Sequence, residues 1–286
     1  MELKLTDLEE KTGTLESADG LKIFYRKYKA QEERSRLVIV HGLGEHSGRY
    51  GNVVSELLPL GISIWALDLR GHGMSEGKRG HVQSFNDYIG DVLSTIKLAR
   101  KGMGSGIKCF LLGHSMGGLI VLDFALEFPE LIDRVTVSSP SLGIGFKVPF
   151  IKRALGKIMS SLFPALTLPH GMDISKLSHD RETVRTYAHD PLVHDRVSVR
   201  WFTEVQKTMD KVNNSADRVK IPLLMQLAGD DHLTDVNASK RFFDGLTVDD
   251  KTLHIYERLY HEIYNEKEEL RSRPLQDLSK WVDAHL

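Results

Sequence analysis

Six short apolar runs recur along the chain: RLVIV (36–40), ISIWAL (62–67), IKCFLL (107–112), RVTVS (134–138), PLLMQL (222–227) and TLHIY (252–256). Each has strand length and reads as a buried strand. Between most of them the apolar residues fall at helical spacing, notably over 84–101 and 115–127. That alternation predicts a parallel sheet with helices on both faces. Ahead of it, GTLESADGLKIFYRKY (13–28) predicts an antiparallel hairpin turned at Asp19-Gly20. Between residues 140 and 215 the strand signal disappears for longer than a crossover requires. We read 141–215 as a helical insertion, with residues 1–140 and 216–286 forming the main domain.

Composition narrows the function classes. The chain has 286 residues, enough for a large core, and a formal charge of −1. That balance argues against a general attraction to nucleic acid. The single cysteine, Cys109, lies inside an apolar run and reads as a buried structural thiol. MELKLTDLEEKTG at the N-terminus lacks the apolar core of a signal peptide, and no stretch reaches the roughly 18 apolar residues of a membrane span. The expectation is a soluble, cytoplasmic protein.

FLLGHSMGGLIV (110–121) places Ser115 between Gly113 and Gly117, where a strand pattern gives way to a helix pattern. A nucleophile on such a turn takes a strained backbone conformation, and its neighbours at plus and minus two must be small so that strand and helix can approach. The helix that follows aims its first N–H groups at the place where negative charge would develop. A serine hydroxyl needs a base, and the base needs an orienting carboxylate. For this turn their chain order is serine, acid, histidine. AGDDHLTD (228–235) offers Asp230, Asp231 and Asp235, and ERLYHEIYNE (257–266) offers His261. Both follow predicted strands, at the sheet edge where ligands bind. An oxyanion site needs two backbone donors, and His41-Gly42 ends an earlier strand so that the Leu43 N–H can lie beside that of Met116.

Other motifs carry less. His261-Glu262 is followed by Asn265 where a zinc helix of the H-E-x-x-H type needs histidine. The His-Asp pairs at 179–180, 189–190 and 194–195 share no helical spacing and read as loops and helix caps. RGHGMSEG (70–77) lacks the Lys-Ser or Lys-Thr pair of a phosphate loop.

With these residues in view, the chain resembles the monoacylglycerol lipase and lysophospholipase branch of the α/β-hydrolases. HGLGEHSGRY (41–50), DLRGHGMSEGKRGHV (68–82), GHSMGG (113–118), AGDDHL (228–233) and YHEIYNE (260–266) carry the likeness, with DPLVH (190–194) resembling part of the cap of such enzymes. The resemblance implies an α/β fold with a mostly parallel central sheet flanked by helices and a helical cap inserted after the sixth strand. It implies a triad of Ser115, Asp231 and His261, with Leu43 and Met116 as oxyanion donors. Asp231 is preferred over Asp230 because His232-Leu233 resembles the pair that follows the acid in this family. Leu43 is bulkier than the residue relatives often carry, which narrows or reshapes the acyl path.

Within the insertion, residues 143–172 set Lys147, Lys152, Arg153 and Lys157 among apolar side chains. Ile151, Ala154, Leu155, Ile158 and Leu162 follow one helix face, and Ile151, Leu155, Ile158 and Met159 are the candidate substrate-binding residues. An apolar, cationic cap suits an acyl chain beneath it and transient contact with an anionic lipid surface above it. Each buried methylene contributes about 0.8 kcal/mol, so chain length should dominate selectivity. The expected activity is cleavage of a small lipid ester, a monoacylglycerol or lysophospholipid, through an acyl-enzyme. It needs no cofactor, metal or nucleic acid partner, and the oligomeric state is unknown. A general short- or medium-chain carboxylesterase, a peptidase, which would need an acid near the site to bind the amine, and a silent hydrolase-fold receptor are the alternatives. A haloalkane dehalogenase or epoxide hydrolase would carry Asp at position 115.

Overall fold

The computed structural model describes residues 9–145 and 158–286. Eight strands form one sheet: β1 (Glu10–Glu16), β2 (Lys22–Tyr28), β3 (Ser35–Val40), β4 (Ile62–Leu67), β5 (Lys108–His114), β6 (Arg134–Ser138), β9 (Leu223–Ala228) and β10 (Lys251–Tyr256). Their order is β1-β2-β4-β3-β5-β6-β9-β10. From β4 to β10 every neighbouring pair is parallel, while β2 runs antiparallel to both β1 and β4. The β1–β2 hairpin turns just where Asp19-Gly20 predicts, with Gly20 at a φ of +85°. β3, β4 and β9 are buried along their whole length, because helices cover both faces of the sheet.

Five helices make the two outer layers. Val53, Val54 and Leu57 of α1 (Gly51–Leu57) pack with Leu275, Leu278 and Trp281 of α7 (Glu268–Ala284) on one face. On the other lie α2 (Phe85–Arg100), α3 (Met116–Glu127) and α6 (Val236–Gly245). Ser84 and Asp87 form a capping box that starts α2, and α3 is buried from Met116 to Ala125.

The segment between β6 and β9 holds α4 (Arg181–His189) and α5 (Val199–Asn213). It also holds a ribbon that the sequence pattern does not announce, β7 (Thr167–Pro169) paired antiparallel with β8 (Arg196–Ser198). Three residues per strand are too few to establish an alternation. Backbone hydrogen bonds tie this segment to the loops beneath, from the His194 N–H to the Gly44 carbonyl (2.9 Å) and from the Ser198 N–H to the Gly80 carbonyl (2.7 Å). Ile151 and Leu155 lie outside the described residues. Among the described residues, no helix is long and apolar enough to cross a membrane.

Candidate active site

Ser115 stands between the end of β5 and the start of α3 with φ 53° and ψ −118°. A non-glycine residue rarely adopts this conformation, and holding it costs about 1–3 kcal/mol that the surroundings must offset. They do so by close packing. A Cβ on Gly113 would overlap the Gly117 carbonyl, and one on Gly117 would overlap the Val40 carbonyl. The Ser115 N–H donates to the Ser138 carbonyl at 3.0 Å and its own carbonyl accepts from the Ser141 N–H at 3.0 Å. The hydroxyl is thereby held at the mouth of α3, 3.4 Å from Ser141 Oγ.

His261 and Asp231 follow β10 and β9. His261 Nδ1 lies 2.7 Å from Asp231 Oδ2, with both side chains buried. Asp231 Oδ1 accepts from the N–H groups of Leu233 (2.8 Å) and Thr234 (3.0 Å), and Oδ2 accepts from the Thr234 hydroxyl (2.8 Å). Burial works against the Asp231 charge, but His261 and these donors outweigh it and hold the carboxyl down at about 2. Burial likewise opposes charge on His261. The Asp231 carboxylate overcomes that, helped by Glu262 and Glu45, and raises the imidazole above its ordinary value. Asp230 points into solvent and lies 3.2 Å from His232 Nε2, so of the adjacent pair only Asp231 meets the imidazole. Asp235, the third carboxylate of the stretch, caps α6 instead.

The expected oxyanion donors, Leu43 and Met116, line the same cavity as Ser115. His41 Nε2 accepts from the Leu69 N–H at 2.9 Å, which leaves the proton on Nδ1, 2.7 Å from the Gly42 carbonyl. Burial lowers the His41 pKa and keeps the ring neutral. With the Gly42 carbonyl pinned to His41, the N–H of Leu43 on the same trans peptide points the opposite way. Neither the Leu43 nor the Met116 N–H is engaged by a hydrogen bond among the described residues. His114, next to the nucleophile, is pushed down to about 4 by burial and then by the charge of His261, so it stays neutral.

Ser115, Leu43, Met116 and His261 line one cavity of about 160 Å³. Its apolar wall comes from Val197 beside α5 and from Trp201, Phe202, Val205 and Met209 on α5. Ile158 and Met159 are not on the cavity wall, and Ile158 is 59% exposed. Among the described residues, α5 rather than the turn bearing Ile158 supplies the apolar part of the cavity wall. The spacing of Trp201, Val205 and Met209 at every fourth residue is the signal that could have found that wall. Ser141 and the Glu45–Arg49–Glu262 ion pairs are further neighbours that the motifs do not reveal. Among the described residues, no group of three or more His, Cys, Asp or Glu is placed to hold a metal ion.

A mostly parallel sheet with a strained serine on the β5–α3 turn, and with a buried His–Asp pair at the same edge, defines an α/β-hydrolase. More narrowly, the chain belongs to the Hydrolase_4 family, described as serine aminopeptidase, S33, which matches residues 31–268. Phospholipase YtpA of Bacillus subtilis is 33% identical over 84% of this chain and 93% of that protein. A solved structure of the Paleococcus ferrophilus monoacylglycerol lipase is 37% identical, covers 92% of this chain and 99% of that one, and superposes with a TM-score of 0.84. An uncharacterized abhydrolase domain-containing protein of Dictyostelium discoideum is 35% identical over 80% of this chain, which spans only 24% of that protein.

Proposed function

We propose that this protein is a serine hydrolase that cleaves carboxylic esters of lipids, monoacylglycerols first and lysophospholipids second, to a fatty acid and the free alcohol. The observation that carries the reading is that Ser115 and His261, the latter paired with Asp231, share the wall of one apolar cavity. The similarity to a monoacylglycerol lipase and a phospholipase supports the substrate class. The Ser115 hydroxyl, 3.4 Å from Ser141 Oγ, must turn to the Nε2 of His261 for the reaction to begin. Oγ then attacks the ester carbonyl, His261 takes the proton, and the Leu43 and Met116 N–H groups receive the oxyanion. His261 returns that proton to the departing alkoxide, and water repeats the sequence on the acyl-enzyme. Nucleophile, base and oxyanion donors all come from the chain, so no step calls for a cofactor.

An aminopeptidase would need a free carboxylate for the substrate's ammonium group. Glu45 and Glu262 are the carboxylates on the described cavity wall, and both are bound to Arg49. We assign residues 141–215 as a cap over the main domain formed by 1–140 and 216–286. The exposed side chains of Ile158, Leu162, Phe163 and Leu168 suit transient contact of that cap with a lipid surface, and we place the enzyme in the cytoplasm.

The test is a panel of monoacylglycerols, lysophospholipids and p-nitrophenyl esters of graded chain length, run beside labelling with a fluorophosphonate. Ser115→Ala should abolish labelling and lower kcat by several orders of magnitude. Labelling that persists in the variant would refute the assignment.

A further inference from the structure

We propose that Arg49 is a positioning residue that locks the loop carrying the Leu43 donor to the loop carrying His261. The inference rests on the hydrolase reading above. Arg49 ends the turn that follows the oxyanion segment, and its side chain is 10% exposed. Its guanidinium grips Glu262 with both nitrogens, Nη1 to Oε1 at 2.6 Å and Nη2 to Oε2 at 2.7 Å. The same Nη1 donates to Glu45 Oε2 at 2.8 Å. Glu45 Oε1 in turn accepts from the Gly42 N–H at 2.6 Å and from the Tyr50 hydroxyl at 2.9 Å. One end of the chain of bonds therefore stops at the residue before Leu43 and the other at the residue after His261.

Rigid placement matters here because a displacement of about 1 Å at a reacting group can cost about 100-fold in rate. A planar fork holding two carboxylates fixes both distance and angle, which an ammonium cannot do. The cluster also carries charge. Two carboxylates against one guanidinium leave a net negative charge close to His261, beside which also stand the Asp231 carboxylate and the neutral His114. Glu262 and Glu45 favour the imidazolium that forms when His261 takes the serine proton. The segment between β6 and β9 rests on the same cluster, with the Arg49 guanidinium 4.7 Å from the centre of the Tyr187 ring and the Glu262 N–H donating to the Leu177 carbonyl at 2.8 Å.

Three probes separate positioning from mere support of the fold: a monoacylglycerol as substrate, an alkyl trifluoromethyl ketone that forms an oxyanion adduct with the serine, and an uncleavable monoalkylglycerol ether. Arg49→Met should lower kcat/KM and ketone affinity together by about 100-fold, while ether affinity changes much less. Arg49→Lys keeps the charge but loses the fork, and should show the same split at about tenfold; it serves if the Met variant does not fold. Glu262→Gln removes a charge that favours the imidazolium, so the acid limb of its kcat/KM profile should move to lower pH. Equal loss of ketone and ether affinity in Arg49→Lys, or an unmoved acid limb in Glu262→Gln, would overturn the proposal. Failure of the unaltered protein to hydrolyse any ester or bind the ketone would overturn the proposed function instead.

Discussion

Asp231 and His261 enter the site from β9 and β10, and each is anchored close to the strand that delivers it. Trp201 and Val205 enter from α5, a helix of the segment that only partly buries its apolar side chains. Around Asp231 the loop turns back on itself, and two backbone N–H groups and a hydroxyl converge on one carboxylate. In the other segment Ile158, Leu162, Phe163, Leu166 and Leu168 remain exposed. The contrast assigns different tasks. The sheet edge holds atoms at set distances and angles through hydrogen bonds, as proton transfer requires, while α5 offers an apolar wall whose contribution depends on area rather than on angle. Substitutions at the edge should therefore act on every substrate alike, and substitutions in α5 should act according to chain length.

The largest effect after loss of the nucleophile should come from the acid. Asp231→Asn leaves the shape of the loop but removes the charge that orients and stabilises the imidazolium. By analogy with the serine protease acid, kcat should fall by about four orders of magnitude. Asp230→Asn, at an exposed side chain paired with His232, should change kcat by less than about threefold. The two rates measured side by side decide between the neighbours, and a reversed ranking would move the acid to Asp230.

Sequence and structure agree where a physical requirement is local. Five of the six apolar runs are strands buried along nearly their whole length, the sixth is the half-buried edge strand β10, and Gly113 and Gly117 flank Ser115 because no Cβ fits there. The turn bearing Ser115 and the strand end bearing His261 are legible as local patterns, and Asp180 does cap α4, in keeping with the reading of the His-Asp pairs as loops and helix caps. Non-local requirements leave no such trace. Arg49 and Glu262 are 213 positions apart, and nothing in either local pattern shows that they meet. His194 reads as a loop residue, yet its ring packs 4.7 Å from that of His72 across the seam between the two regions. Two local features also escape the sequence: the β7–β8 ribbon is too brief for a period, and the apolar stripe of α5 could equally be plain packing.

Chain-length dependence sharpens the contrast at an intermediate scale. Phe202 lies on the cavity wall and is partly buried. Phe202→Ala should lower the ratio of long-chain to butyryl kcat/KM by about tenfold, equivalent to roughly two methylene contacts. Thermal unfolding provides the control. An unchanged ratio with a lower Tm would make α5 a packing element and remove it from substrate selection.

The smallest effect on the enzyme itself should come from the exposed turn. Ile158 and Leu162 are 59% and 66% exposed, so Ile158→Ser combined with Leu162→Ser removes little buried surface. Exposed substitutions of this kind shift stability by about 0.5 kcal/mol or less, and hydrolysis of a dispersed butyryl ester should be unaltered. A monoacylglycerol held in anionic vesicles presents a different task, because the enzyme must first meet the lipid surface. If the turn makes that contact, the double variant should lose several-fold in activity on vesicles while keeping its rate on the dispersed ester, and its sedimentation with vesicles should fall in parallel. Equal rates on vesicles for both proteins would strip the turn of any surface role and leave its apolar residues unexplained. A joint fall on both substrates with a lower Tm would instead show that the turn supports the fold around α5.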